Sequence, residues 1–266
     1  MSLLAWTSCD SQPKEFQGTP SDTTDVILND STALGAIELI PLEDSPEFAD
    51  AQLDLNQPLD NQVFTSGSDI AFSYTLKNYT LTAPTTEGSC AQHCANSDKG
   101  QHIHLILNNE PYLAKYETSF KESLKDGHYV ALSFLSRSYH ESLKHYGAYQ
   151  LCQFDVGKKT GDKVDLTQPH LFYSRPKGEY KGKDTESILL DFFLVNTTLS
   201  PTGNKVRATI NDTLFILDQW KAYLIKNLPE GSNTIQLELI DVAGNVLPGP
   251  YNTVKRTIEV RKNSGV

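Results

Sequence analysis

His102 and His104 stand two residues apart in the run HIHLILNN. Side chains at i and i+2 of a strand share one face of a sheet. Two such imidazoles can meet one metal ion. Zinc and copper accept neutral imidazole nitrogen at about 2.0–2.1 Å. Two ligands bind weakly, so a third must come from elsewhere. His128, after the Asp126-Gly127 turn, and His140, in a later loop, are the candidates. The segment EGSCAQHCANSDKG brings Cys90, His93 and Cys94 close to His102 in sequence. Those thiols can join the imidazoles on zinc or cuprous ion, or they can close a disulfide.

An internal repeat singles these residues out. QPLDNQVFTSGSDIAFSYTLKNYTL runs without a gap against RPKGEYKGKDTESILLDFFLVNTTL, and 176 − 58 and 196 − 78 both give 118. HIHLILNN then falls on KVRATIND, and CQFDV on RTIEV. A repeat of this length means two copies of one small domain. His102 and His104 face Lys205 and Arg207 in the second copy. His128 faces Ser232 or Asn233, and His140 faces Gly244-Asn245. What the frame needs is common to both copies, so the histidines are surplus to it. The first copy is also longer between matched asparagines, since 108 − 78 is 30 and 211 − 196 is 15. The extra residues carry Cys90, His93 and Cys94.

Short apolar runs of period two position these groups. Ile70, Phe72, Tyr74 and Leu76 form one, and Ile103, Leu105 and Leu107 another. Val130, Leu132 and Phe134 form a third, and the second copy repeats the pattern. Period two marks half-buried strands. Turn signals such as Asn108-Asn109, Glu230-Gly231 and Pro248-Gly249-Pro250 separate them. The expectation is all-β: two tandem immunoglobulin-like antiparallel β-sandwich domains after a disordered N-terminal tether. Residues 1–35 are read as signal remnant and tether, 36–157 as the first domain and 158–266 as the second. Residues 36–42 add an edge strand or pack on the first domain. Stretches 112–124 and 219–228 are expected to hold one short helical turn each.

Parity fixes which way the histidines point. Ile103, Leu105 and Leu107 take the core face, so His102 and His104 take the other. Lys205 and Arg207 occupy that face in the second copy, and such side chains are rarely buried. The histidines are therefore expected on solvent or in a shallow groove. His128 shares parity with Val130, Leu132 and Phe134, which are assigned to the core. It reaches His102 only if its strand begins at the rim of the sandwich.

Composition narrows the function. The net charge is −10 and no basic run exists, which argues against nucleic acid. MSLLAWTSC resembles the end of a bacterial lipoprotein signal, with Cys9 as the lipidated residue. An exported chain held on the membrane by lipid places its other cysteines in an oxidising space. Three remain, Cys90, Cys94 and Cys152, so at most one pair closes: Cys90 with Cys94, or one of them with Cys152. The run His140-Glu141-Ser142-Leu143-Lys144-His145 is not a zinc-protease motif. Its histidines are five apart, roughly 140° around a helix rather than on one face. No nucleophile elbow or phosphate-binding glycine loop is present.

GQHIHLILNNEPY, DGHYVALSFLSRSYHES and LFYSRPKGEYKGKDTESILLDFFLVN together resemble a family of exported Bacteroidota lipoproteins with tandem immunoglobulin-like domains. Some of its members are named phosphopeptide-binding protein. The resemblance covers most of the chain from about residue 53 to 260. It implies an anion site, to which Arg137 can contribute beside His128 and His140. It implies no particular activity.

The expectation is a non-enzymatic, lipid-anchored binding protein of the cell envelope. Its leading site is copper or zinc on His102 and His104, completed by His128 or His140. The alternative is a metal-free peptide-, phosphopeptide- or glycan-binding surface. Trp220, Tyr223 and Phe215 either stack on a sugar ring or pack the second domain. A metal-dependent hydrolase ranks last.

Overall fold

The structure, a computed structural model, describes residues 35–158 and 163–262. Cys9 and most of the link expected between the copies lie outside them. Seventeen strands follow in chain order. The first is β1 (Glu38–Pro41). The first copy holds β2 (Gln52–Gln57), β3 (Gln62–Phe64), β4 (Asp69–Lys77), β5 (His102–Leu107), β6 (Leu113–Lys115), β7 (Ser119–Ser123), β8 (Gly127–Ser136) and β9 (Tyr149–Val156). The second holds β10 (His170–Arg175), β11 (Glu179–Lys181), β12 (Ile188–Val195), β13 (Lys205–Ile210), β14 (Thr213–Leu217), β15 (Tyr223–Lys226), β16 (Gly231–Ile240) and β17 (Thr253–Arg261).

The chain forms two tandem immunoglobulin-like sandwiches. The first packs sheet β2-β4-β7 on sheet β3-β9-β8-β5-β6, and the second packs β1-β15-β12-β10 on β11-β17-β16-β13-β14. The copies agree in detail. Both have a register shift in the first hairpin, at Leu55/Gln57 and at Tyr173/Arg175, and 173 − 55 and 175 − 57 both give 118. Both hold a short strand parallel to the last one, β3 on β9 and β11 on β17. Asn108 and Asn211 have positive φ and accept the backbone N–H of Val130 and Thr234 respectively. Asparagine tolerates that conformation better than most residues do.

Two expectations fail and one holds in part. Residues 112–124 and 219–228 contain β6, β7 and β15 rather than helical turns. Their sheets supply the partners that a short segment lacks alone. The edge strand expected over residues 36–42 is present as β1, but it pairs with β15 and so extends the second sandwich and not the first. Val130, Leu132 and Phe134 do not face the first core. Ile103, Leu105, Ala131 and Leu135 do, whereas Val130, Leu132 and Phe134 form a separate cluster with Phe172, Phe193, Val195 and Tyr251 of the second copy. The outer faces of two sheets are thus apolar and pack together. Phe134 and Phe193 stack there with centroids 4.9 Å apart. Such a pair adds about 0.5–1.5 kcal/mol beyond the area it buries.

A buried ion pair ties the same junction. Lys144, from the first copy, meets Asp191 on β12, which is fully buried and also accepts from Ser142 Oγ at 3.0 Å. Removing the cation leaves a carboxylate without its charge partner in a dry site. The Lys144→Met variant is expected to lose about 3 kcal/mol in urea unfolding, and an unchanged midpoint contradicts this role.

Candidate functional site

His102 and His104 project from β5 on the face opposite Ile103 and Leu105, as parity requires. They do not meet solvent. Both are fully buried. The reason is the junction just described: Tyr112, the 137–142 turn and Ser174 and Arg175 of the second copy close over this face. In the second copy, Arg207 keeps the equivalent face partly open, pairing with Glu238 at 2.7 Å.

His140 joins the pair. His102 Nε2 lies 2.9 Å from His104 Nε2 and 3.0 Å from His140 Nδ1. The three ligand atoms lie within 4.8 Å of one another. His140 arrives on a turn that both copies share. Arg137 N bonds Glu141 O and His140 N bonds Arg137 O, as Asp241 N bonds Asn245 O and Gly244 N bonds Asp241 O. His140 therefore occupies the place of Gly244. That place has positive φ in both, +83° for Gly244 and +72° for His140. Glycine adopts it freely, and a side chain there costs on the order of 1 kcal/mol or more. The first copy carries an imidazole where the frame favours glycine.

His128 does not join. Strand β8 runs antiparallel to β5, with His102 opposite Ser136 and Leu107 opposite Ala131. His128 is at the other end, six residues before Phe134, or about 20 Å away along the strand. It bonds Asp155 at 2.8 Å and Gln153 at 3.1 Å instead. Antiparallel pairing takes the residue that opens β8 away from His102 and brings the loop that follows β8 towards it.

Arg137 is not an available anion contact. It is buried, donates to Pro46 O and Ser142 O, and pairs with Glu141 at 3.3 Å. The cysteines do not join the site either. Cys90 and Cys94 form a disulfide, Cys152 is free and buried in the first core, and His93 is exposed. The inserted segment acts as a brace. Thr85 and Ser138 exchange bonds of 3.0 and 3.1 Å, and Ser97 N reaches Ser138 O at 2.9 Å. These hold the turn that carries His140. Gly100 closes the insertion at φ +77°, where a Cβ would lie 2.4 Å from Thr82 O. Its carbonyl fixes His102, which donates from Nδ1 at 2.8 Å.

That bond determines the chemistry. A carbonyl only accepts, so Nδ1 of His102 carries the proton, and Nε2 of the neutral ring is a lone pair. Two ring nitrogens converge on this single lone pair. Tyr112 Oη also faces His140 Nδ1, at 3.2 Å. If Tyr112 donates there, two lone pairs oppose each other at 3.0 Å. If His140 donates instead, it competes with His104 for one acceptor. A neutral arrangement can pair each of these nitrogens, with His104 donating to His102 and Tyr112 donating to His140, but it leaves His102 Nε2 and His140 Nδ1 at 3.0 Å with no proton between them. A metal cation removes that repulsion, because it takes a lone pair from each ring. Nitrogens bound at 2.0–2.1 Å stand about 3.3–3.6 Å apart, so the two close pairs would open by roughly half an ångström.

The imidazoles are held neutral. Burial pushes His102 down to about 4, with Arg175 and Lys177 adding to the effect. Burial pushes His104 and His140 well below the ordinary value, with His102 and Arg175 contributing to both. His104 is further held by Ser174 Oγ at 3.3 Å and by the Tyr112 ring, stacked at 3.6 Å and 8°. Sequence reasoning missed Tyr112, Ser174, Arg175 and Lys177. The first lies eight residues past His104, and the others belong to the second copy.

No family profile and no curated protein matches this chain. Among solved structures, it is similar to fibronectin(III)-like modules of Clostridium thermocellum CbhA, at 13% identity and TM-score 0.28, covering 79% of this chain and 95% of that one. The mixed-linkage glucan utilization protein SGBP-B of Bacteroides ovatus gives 9% and 0.24, covering 79% and 47%. The tandem V-type regions of the chitin binding protein VCBP3 give 9% and 0.25, covering 79% and 99%. At these values no ligand or activity carries over.

The depressed histidines couple folding to pH. Between pH 6.5 and about 4 the unfolded chain takes up protons at His102 that the folded chain refuses. Their contribution to stability is complete above 6.5 and is lost as pH falls through that window. Unfolding free energy measured in urea is expected to fall across it, and to fall less in a His102→Asn/His104→Asn variant. Equal pH slopes in the two proteins contradict the assignment.

Proposed function

We propose that this chain is a non-enzymatic binding protein of the cell envelope that holds one copper ion through His102, His104 and His140. The observation that carries this reading is the convergence of two neutral imidazole nitrogens on the lone pair of a third, in a site whose rings are fixed by Gly100 O, Ser174 and Tyr112. Ligand rings held through a carbonyl or hydroxyl on the far nitrogen are the usual support of a metal site. Imidazole suits both copper and zinc. Charge favours cuprous ion. No carboxylate belongs to the trio, and Arg175 and Lys177 repel cations there. The cost of burying an ion grows with the square of its charge, so a monovalent ion is preferred over zinc.

Export and anchoring at Cys9 rest on the sequence, together with the Cys90–Cys94 disulfide, which suits an oxidising compartment. A second reading, a glycan-binding surface, has one feature in its favour. Tyr146 is 89% exposed beside Tyr149, on grooves that also reach Trp220 and Asn196. The rings named from sequence are less suited to it. Trp220 donates to Phe192 O and packs edge-on against Phe193, and Tyr223 is buried.

The test is metal titration against a cuprous chelator, with zinc in parallel. Wild type is expected to bind one equivalent of cuprous ion more tightly than zinc. His140→Gly is the most informative variant, because the second copy already places glycine in that turn. It is expected to fold with wild-type stability or better and to bind cuprous ion at least about a hundredfold more weakly. Equal cuprous affinity in wild type, His140→Gly and His102→Ala/His104→Ala defeats the proposal.

A further inference from the structure

Across Tyr112 from the histidines lies a second group of polar side chains that the metal reading does not use. Lys177 Nζ sits 3.6 Å from the centroid of the Tyr112 ring, and Arg175 Cζ sits 5.5 Å from it. Arg175 donates to Tyr180 Oη at 2.8 Å. Arg256 lies over the Tyr173 ring at 4.3 Å. Lys177 Nζ donates to Tyr112 O at 2.6 Å, Arg256 donates to Asn109 O at 2.9 Å and Tyr173 N donates to Asn109 Oδ1 at 2.8 Å, so the four gather around the same short segment. The group closes one end of the second sandwich, against the turn that follows β5.

This group is incomplete. Arg175 Nε, Arg256 Nη1 and Tyr173 Oη are all buried without a hydrogen-bond partner. Arg175 is 8% exposed and Tyr173 not at all. Buried polar atoms are rarely left unpaired, and three gathered in one region call for an explanation. Charge sharpens the point. Among the described residues none of the three cations makes an ion pair. Among the described residues, the carboxylate that acts on Arg256 is the exposed Glu110. Tyrosine ring faces offset part of this positive charge but do not neutralise it. Lys177 responds accordingly, pushed down to about 8 by burial and by the two arginines. The second copy's own frame does not require the arrangement. At the matched register-shift position, where the second copy has Arg175, the first has Gln57.

A water molecule would supply hydrogen bonds but no charge. An anion supplies both, with oxygens that guanidinium nitrogens and a phenol can donate to. We propose that Arg175, Lys177, Arg256 and Tyr173 form a binding site for one small oxyanion or carboxylate. The site is built from the second copy and abuts the histidine centre of the first. It does not depend on a metal being bound.

Equilibrium dialysis of the metal-free full chain with radiolabelled sulfate, and separately with acetate, tests this at constant ionic strength. One saturable equivalent of at least one of the two probes is expected. Arg175→Gln and Arg256→Gln are each expected to weaken it by about tenfold or more. Lys177→Met, a change at a half-exposed position, serves if either arginine variant fails to fold, and is expected to weaken it too. The His102→Ala/His104→Ala variant is expected to retain uptake. The proposal is overturned if wild type takes up neither probe saturably, or if the folded cation variants bind as wild type does. It is also overturned if the histidine variant loses uptake, since the anion would then belong to the trio.

Discussion

The outer face of the sheet bearing β5 and β8 is closed by the second sandwich, and the behaviour of the histidines follows from that closure. On an open face, His102 and His104 would be solvated and would titrate as ordinary imidazoles. Beneath Tyr112, Ser174 and Arg175 they are dry, neutral and fixed in direction. The same burial raises the cost of any lone pair that lacks a proton or a cation. A site that would bind weakly at a surface therefore becomes a demanding one. The apolar contact of Phe134 with Phe193 and the Lys144–Asp191 pair keep the two sandwiches closed over it.

Duplication gives a reference state within one chain. Where the first copy has His102, His104 and His140, the second has Lys205, Arg207 and Gly244, on the same strands and the same turn. The second copy uses these positions for a surface ion pair and a relaxed glycine. The first uses them for three rings and a residue at positive φ, supported by an inserted loop whose Thr85 and Gly100 hold the turn and one ring. The departures are concentrated at one place, and each one makes the place more costly unless something binds there. Strain or unpaired polar groups that cluster in this way are expected at functional sites rather than in the scaffold.

Much of this was legible in the residues. Period-two runs and the repeat at offset 118 led to two tandem sandwiches, and parity put His102 and His104 on the face opposite Ile103. Three features were not legible, each for a physical reason. Burial of that face depends on packing between copies, which an alternating pattern does not encode. Val130, Leu132 and Phe134 looked like core because their outward face is also buried, against the other sandwich. His128 stood beside His140 as a candidate because strand direction was left out: antiparallel pairing sends the opening residue of β8 to the far end and brings the following loop back. Tyr112, Ser174 and Arg175 come together at the histidines only through tertiary contact. No spacing in a single chain announces that.

X-ray absorption at the copper edge of protein loaded with one cuprous equivalent tests the central claim most directly. The account predicts a first shell of three nitrogens at about 2.0 Å, with the multiple scattering of three imidazole rings and no sulfur. A shell with fewer than two imidazoles, or one containing thiolate sulfur from Cys152, would contradict it.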